Sequence, residues 1–201
     1  MRLVLPDLSL DLRTDRGVFS AGRIDPGTKV LLLETPPPAP RGHLLDLGCG
    51  YGPIALTLAV RAPGATVWAV DVNERALELT RRNVRAAGLD NVRVVRPEEV
   101  PEEVRFAGIW SNPPVRIGKR ALHELLTRWL ARLEPDRAAV LVVHKHLGSD
   151  SLHRWLAGRG WRVTRLASRL GYRLLEVRPP AAAEAGPGDG GGRATGTAGE
   201  A

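Results

Sequence analysis

The sequence predicts a doubly wound α/β fold, a mostly parallel sheet finished by an antiparallel hairpin, and three observations carry that expectation. Strand-like and helix-like hydrophobic periods alternate between residues 41 and 178, a glycine-rich turn joins the first of these strands to the first of these helices, and the last two strand-like runs lie only a few residues apart around Gly171. Parallel neighbours need long crossover connections, so alternation of strand and helix means a parallel sheet covered on both faces. A connection as short as that at Gly171 permits only an antiparallel pair.

Taken in order, residues 2–34 form a small strand-rich lead-in in which Leu8, Leu10 and Leu12 alternate, ending in a short helix after Asp25-Pro26-Gly27. Apolar runs at 43–47, 65–70, 92–95, 106–110 and 138–143 have the length and composition of strands buried on both faces. Helical periods lie between them at 53–62, 74–87, 119–133 and, after a cap signal at Ser149 and Asp150, 150–158. Within 119–133, Leu122, Leu125, Leu126, Trp129, Leu130 and Leu133 make one apolar stripe. Trp161 to Ser168 and Tyr172 to Arg178 form the hairpin. Residues 1–40 are expected to belong to the same domain as 41–178, and the Gly/Ala/Pro-rich stretch 179–201, which has no large apolar side chain to bury, is expected to be a disordered tail.

Of the 29 basic and 22 acidic side chains, one base and three acids fall in 179–201, so residues 1–178 carry a net +9, a balance that suits a polyanionic partner. Cys49 is the one cysteine, which excludes an intrachain disulfide and a cysteine-built zinc site and points to a reducing, cytoplasmic setting. Pro6 and Asp7 interrupt the first apolar run, and no run approaches the roughly 20 residues that span a bilayer, so neither a secretory leader nor a membrane partner is expected.

Asp46-Leu47-Gly48-Cys49-Gly50-Tyr51-Gly52 follows the first strand of the main sheet and opens a helix, with Pro53 suited to its first turn. Glycines there let the backbone approach a ligand and leave N–H groups aimed at it. The spacing is Gly-x-Gly-x-Gly, and proline at 53 replaces the third glycine of a dinucleotide loop. Asp71, 25 residues after Asp46, ends the second strand, where an acid can accept hydrogen bonds from ribose hydroxyls. Cys49 has no histidine or second cysteine as a partner motif and reads as a small loop residue beside the ligand.

Ser111-Asn112-Pro113-Pro114 follows the fourth strand, at the carboxyl edge where open α/β sheets bind ligands. Two prolines fix φ and hold Asn112 and the Pro113 carbonyl rigid. An amide oxygen and a backbone carbonyl so placed can each accept one N–H of a planar amine and orient its nitrogen for attack.

The glycine loop with Asp71 resembles the cofactor site of class I S-adenosylmethionine-dependent methyltransferases, and Asn112-Pro113-Pro114 resembles motif IV of those that act on amino groups. The longer string Asn112 to Lys119, with Gly17-Val18-Phe19-Ser20 and Asp25-Pro26-Gly27-Thr28 upstream, is similar to the small-domain family, which includes the ribosomal small-subunit RNA guanine-N2 methyltransferases and single-domain archaeal relatives; the resemblance covers about residues 8–178. It implies a seven-stranded, Rossmann-like methyltransferase fold, S-adenosylmethionine as donor, and guanine N2 of 16S rRNA, free or in the small subunit, as acceptor. It implies a cofactor site of Asp46 (methionine amine), Gly48, Cys49, Gly50, Gly52, Asp71 (ribose), Val72, Glu98 (adenine side) and Asn112. Asn112, Pro113 and Pro114 are the implied catalytic set, and Phe19, Ser20, Arg116 and Lys119 the implied substrate contacts, with no metal. This chain has Val115 where many relatives have an aromatic, which moves the expected base stacking to Phe19. A protein glutamine-amide methyltransferase, whose Asn-Pro-Pro is normally followed by Tyr, and a non-catalytic RNA-binding relative are the alternatives.

Arg116, Lys119 and Arg120 gather where a helix begins, a position that opposes the macrodipole unless an anion sits there. A phosphate would supply one. Arg81, Arg82 and Arg85 read as a solvated helix face. His144 and His146, at i and i+2 of a strand, should point to opposite faces and form a polar loop. Trp110, Trp129, Trp155 and Trp161 fall in apolar patterns and are expected in the core.

Overall fold

The computed structural model describes residues 1–15 and 23–180; the expected tail from 181 onward, and Phe19 and Ser20, lie outside them. The chain opens with β1 (Arg2–Val4) and β2 (Ser9–Asp11), an antiparallel pair, and then α1 (Pro26–Glu34). The main unit follows as β3 (Arg41–Leu47), α2 (Pro53–Arg61), β4 (Gly64–Val70), α3 (Glu74–Ala86), β5 (Val92–Val95), β6 (Gly108–Ser111), α4 (Lys119–Leu130), β7 (Ala139–His144), α5 (Ser149–Ala157), β8 (Arg162–Arg169) and β9 (Tyr172–Arg178). These strands form one sheet in the order β5-β4-β3-β6-β7-β9-β8, parallel from β5 to β7 and antiparallel at both edges of β9. The chain steps outward from β3 through β4 to β5, then returns to place β6 on the other side of β3. The carboxyl ends of β3 and β6 therefore flank the topological switch point, where such sheets bind ligands.

Alternation along the strands divides the core into two layers. Leu44 goes to the layer under α1, α2 and α3, with Leu31, Ile54, Leu56, Leu77 and Trp110; its neighbour Leu45 goes to the layer under α4 and α5, with Phe106, Ile109, Leu126, Trp129 and Leu156. Trp110 and Trp129 are buried, and Trp155 and Trp161 are half-buried against the second layer. Leu3, Leu5, Leu10 and Leu12 join the first layer, so the lead-in shares the core of the main unit.

Polar contacts tie the lead-in down as well. Arg61 forks onto Asp7 with two bonds of 2.7 and 2.9 Å and donates a third to the Leu32 carbonyl at 2.9 Å. Asn83, fully buried, accepts from Arg13 N (2.7 Å) and donates to the Arg13 carbonyl (2.9 Å) and the Tyr51 carbonyl (2.8 Å), joining the end of the lead-in to the glycine loop.

Three expectations are corrected in detail. β6 starts at Gly108 and α4 stops at Leu130, because Phe106 leaves the sheet to bridge Leu133 and exchanges backbone hydrogen bonds with Arg132 and Glu134. The start of α5 is capped by Gly148 in the left-handed region (φ 97°), while Ser149 is buried inside the first turn. The chain leaves β7 at His144 in a 3-10 turn, Lys145–Leu147, which brings the His144 and His146 rings to 5.4 Å instead of sending them to opposite faces.

Candidate active site

Gly48, Gly50 and Gly52 all have positive φ (78°, 58° and 91°), which is why the loop needs glycine at alternate positions. A Cβ on Gly52 would also lie 2.8 Å from Leu56 and 2.9 Å from Thr80. The nearest group to a Cβ on Gly48 would be Pro114, at 3.9 Å, so the two motifs adjoin at the switch point.

The loop amides correct one expectation. Gly48 N and Cys49 N both donate to the Val70 carbonyl (2.8 and 3.0 Å), and Gly50 N donates to Asp71 Oδ2 (2.9 Å). These three N–H groups stitch the loop to β4 and its following acid; none of them is left aimed at a ligand. A pyrophosphate would want such donors free, so their commitment agrees with the spacing in speaking against a dinucleotide.

Asp46 is fully buried at the end of β3, with one oxygen accepting from Ala55 N at 2.8 Å and Oδ1 unpartnered among the described residues. Burial, reinforced by the nearby Asp71 charge, raises its carboxyl from the ordinary 3.8 to about 8, against the Ala55 hydrogen bond that lowers it. A buried acid with a bare oxygen fits a ligand ammonium, which would restore its charge and fill the open position. Asp71 accepts Gly50 N and Asn73 N at 2.9 Å each, one per oxygen, and each oxygen keeps a lone pair for a ribose hydroxyl. Val72 beside it is 70% exposed and offers an apolar surface to a flat ring. The residues present thus fit the donor implied by the resemblance. Glu98 stands in a 3-10 turn, Pro97–Glu99, with its exposed carboxylate on Arg96 Nε at 2.7 Å, which holds it below its usual range. Burial pushes the Cys49 thiol well up, so it stays protonated and unsuited to attack.

Across the switch point, Ser111 donates its hydroxyl to the Leu47 carbonyl at 2.7 Å and ties the end of β6 to β3. Asn112 then turns its Nδ2 to Asp25 Oδ1 (2.7 Å) and Thr28 Oγ1 (3.1 Å), at the start of α1. The same Asp25 oxygen caps α1 by accepting from Thr28 N at 2.9 Å. Pro114, with φ −74° and ψ 68°, is the centre of an inverse γ-turn in which the Pro113 carbonyl accepts Val115 N at 2.8 Å. That carbonyl keeps one lone pair for a substrate. Val115 is half-buried and packs against the second core layer. Arg116 and Lys119 are exposed on either side of Gly118, with no ion pair among the described residues, whereas Arg120 pairs with Glu124 at 2.9 Å. Arg81 and Arg82 pair with Glu74 and Glu78 on the surface of α3.

Two groups were missed from sequence as parts of the site: Asp25 with Thr28, and Tyr51. Tyr51 has a buried hydroxyl unpartnered among the described residues, and burial with the nearby Asp25 charge pushes it up to about 12. Asp25-Pro26-Gly27-Thr28 is legible as a helix start, but its contact with a residue 87 positions later leaves no local pattern. Among the described residues no three histidine, cysteine or acidic side chains cluster as a metal site, and no helix is long and apolar enough to cross a membrane.

Comparison with known proteins gives this geometry its family. Residues 9–176 match the methyltransferase small domain. The chain belongs to that family. Membership carries the reaction and donor that the resemblance implied, methyl transfer from S-adenosylmethionine. The chain is 33% identical over 168 residues to the uncharacterized protein YbxB of Bacillus subtilis (strain 168), covering 82% of this chain and 84% of that one. It is 39% identical over 132 residues to ribosomal RNA small subunit methyltransferase C of Aeromonas hydrophila, covering 65% of this chain but 37% of that enzyme. The T. thermophilus 16S rRNA N2 G1207 methyltransferase, solved with AdoMet and guanosine, superposes with a TM-score of 0.71 at 25% identity, over 89% of this chain and 50% of that one. The small-domain chain therefore spans half or less of these two ribosomal RNA methyltransferases.

Proposed function

We propose that this small-domain methyltransferase methylates the exocyclic N2 amine of a guanine in small-subunit ribosomal RNA, in the cytoplasm. The observation that carries the reading is the Asn112 carboxamide, whose NH₂ is spent on Asp25 and Thr28 and whose Oδ1 has no partner among the described residues, in the Asn-Pro-Pro turn that adjoins the glycine loop. The named activities of the similar ribosomal RNA enzymes, and the net +9 of residues 1–178, support the same choice of acceptor.

Bound at Asp46 and Asp71, S-adenosylmethionine would supply an electrophilic methyl group on a sulfonium that departs as a neutral thioether. The chain's own part is alignment. Asn112 Oδ1 and the remaining Pro113 lone pair each take one N–H of the planar amine, which turns the nitrogen lone pair toward the methyl carbon. Methyl transfer to an amine held this way would leave a cationic nitrogen, and the proton it then sheds can pass to solvent, since Asn112 and the Pro113 carbonyl only orient the amine. No strong base is required. Arg116 and Lys119 hold phosphates at the rim of the site, and Phe19 with Ser20 is assigned to the base.

Mass spectrometry of rRNA nucleosides from cells with and without the protein tests this. N2-methylguanosine that disappears with the gene supports it; unchanged rRNA with a lost methylglutamine in protein would replace it with the amide reading.

A further inference from the structure

A planar carboxamide fits its site almost equally well in two orientations, and they offer opposite chemistry: one shows a substrate an acceptor oxygen, the other a donor NH₂. An NH₂ facing an amine would leave donor against donor. In this protein the choice is made from outside the Asn-Pro-Pro turn. Asp25 is 7% and Thr28 4% exposed, and both face the same end of Asn112. Asp25 Oδ1 is an acceptor, so the atom 2.7 Å from it must be the nitrogen. The oxygen that receives Asn112 is itself fixed, because it also receives Thr28 N in the cap of α1. The helix is seated in turn: a Cβ on Gly27 would come within 2.5 Å of the Tyr172 ring, and Tyr172 meets His144 edge-on at 4.9 Å. A chain of close contacts thus runs from β9 through the start of α1 to the amide.

We propose that Asp25 and Thr28 are positioning residues that lock the Asn112 carboxamide with Oδ1 toward the acceptor, and so confine the site to acceptors that present an N–H. This rests on the amine-methylating reading above, and it gives the lead-in a part in the reaction beyond packing. Neither residue touches substrate; both act through Asn112.

The test separates orientation from folding. Asp25→Ser keeps a good helix cap but is too short to reach Asn112, Thr28→Val removes the hydroxyl at constant shape, and Asp25→Asn keeps an acceptor oxygen in place. With labelled S-adenosylmethionine and small-subunit rRNA, the Asp25→Ser/Thr28→Val protein should lose on the order of 10- to 100-fold in kcat, with cofactor Kd and Tm close to those of the wild type. Asp25→Asn should recover most of the rate. Added to Asn112→Ala, the double change should cost nothing further, since no amide remains to orient. An equal loss in that background, or Kd and Tm falling with kcat, would overturn the inference in favour of simple structural support. Independently of any substrate, the Asn112 side-chain amide protons should exchange slowly in the wild type and faster in the double variant. Equal exchange overturns the clamp even if RNA is methylated, whereas slow exchange in an enzyme that labels no RNA supports the clamp and rejects the RNA reading.

Discussion

The positions of Asp46, Asp71 and Asn112 were legible in the sequence because each lies at the carboxyl end of a strand beside a turn-forming motif, so spacing alone puts them on one edge of the sheet. What spacing could not give is the state of their atoms. Asp71 has both oxygens already holding backbone N–H groups; Asp71→Ala should therefore weaken S-adenosylmethionine binding by about 1–3 kcal/mol, through the lost ribose contacts and a loosened Gly50 together. Calorimetry on the two proteins measures it, and equal affinity would reject the ribose assignment. Asp46 carries a pH prediction. Its folded pKa of about 8 lies above the ordinary 3.8, so between those values the folded chain holds a proton that the unfolded chain has lost. Stability of the free protein should fall as pH rises through that window. An ammonium seated on Oδ1 would favour the ionised carboxylate, so cofactor binding should expel a proton below pH 8. Calorimetric heats compared in buffers of different ionisation enthalpy count that proton; a count of zero at pH 6 to 7 would mean that the amine binds elsewhere.

At the scale of elements, the strands and helices followed from hydrophobic period, and the departures occur where a distant contact overrides it. Phe106 and Leu133 belong to apolar runs that predict a longer strand and a longer helix, yet each leaves its element to meet the other. Gly148 displaces the expected serine cap because the turn leaving β7 ends in a left-handed residue. Asn83, in the last turn of α3 and without any motif, was invisible for the same reason: its partners lie 70 and 32 residues away. It satisfies the backbone of Arg13 and of the glycine loop at once. Asn83→Ala should cost about 1–3 kcal/mol, because it leaves the buried Tyr51 carbonyl unpaired as well as removing two part-buried hydrogen bonds to Arg13. Urea unfolding reads the stability, and hydrogen exchange should speed up at residues 9–13 and at Tyr51 before anywhere else. A uniform rise in exchange, or a loss below 0.5 kcal/mol, would show that the lead-in is held by its leucines alone.

Across the whole molecule, the doubly wound order places Asp46, Asp71 and Asn112 on one edge of the sheet, and several exposed cations near that edge are unspent among the described residues. Arg116, Lys119 and Lys145 are exposed and make no ion pair among the described residues, while most arginines on the helices and on β8 are paired with acids. Unspent cations beside a methyl-transfer site are what a phosphate backbone would neutralise, and each contact releases counterions. Binding of single-stranded rRNA should then weaken linearly with salt on a log–log scale, by about −0.7 per phosphate contact. Lys119→Ala should weaken all RNA sequences alike and make the slope shallower by about one contact, since phosphate contacts position without specifying. It should leave S-adenosylmethionine affinity unchanged, because Lys119 stands beyond the turn that faces the cofactor loop. The measurement is methyl incorporation and binding at several salt concentrations, with small subunits, free rRNA and a release-factor-like protein as acceptors. A protein loop carrying a glutamine amide would depend on pocket shape and respond weakly to salt. Label found only in that protein, with a flat salt response, would exclude RNA as the partner of this edge.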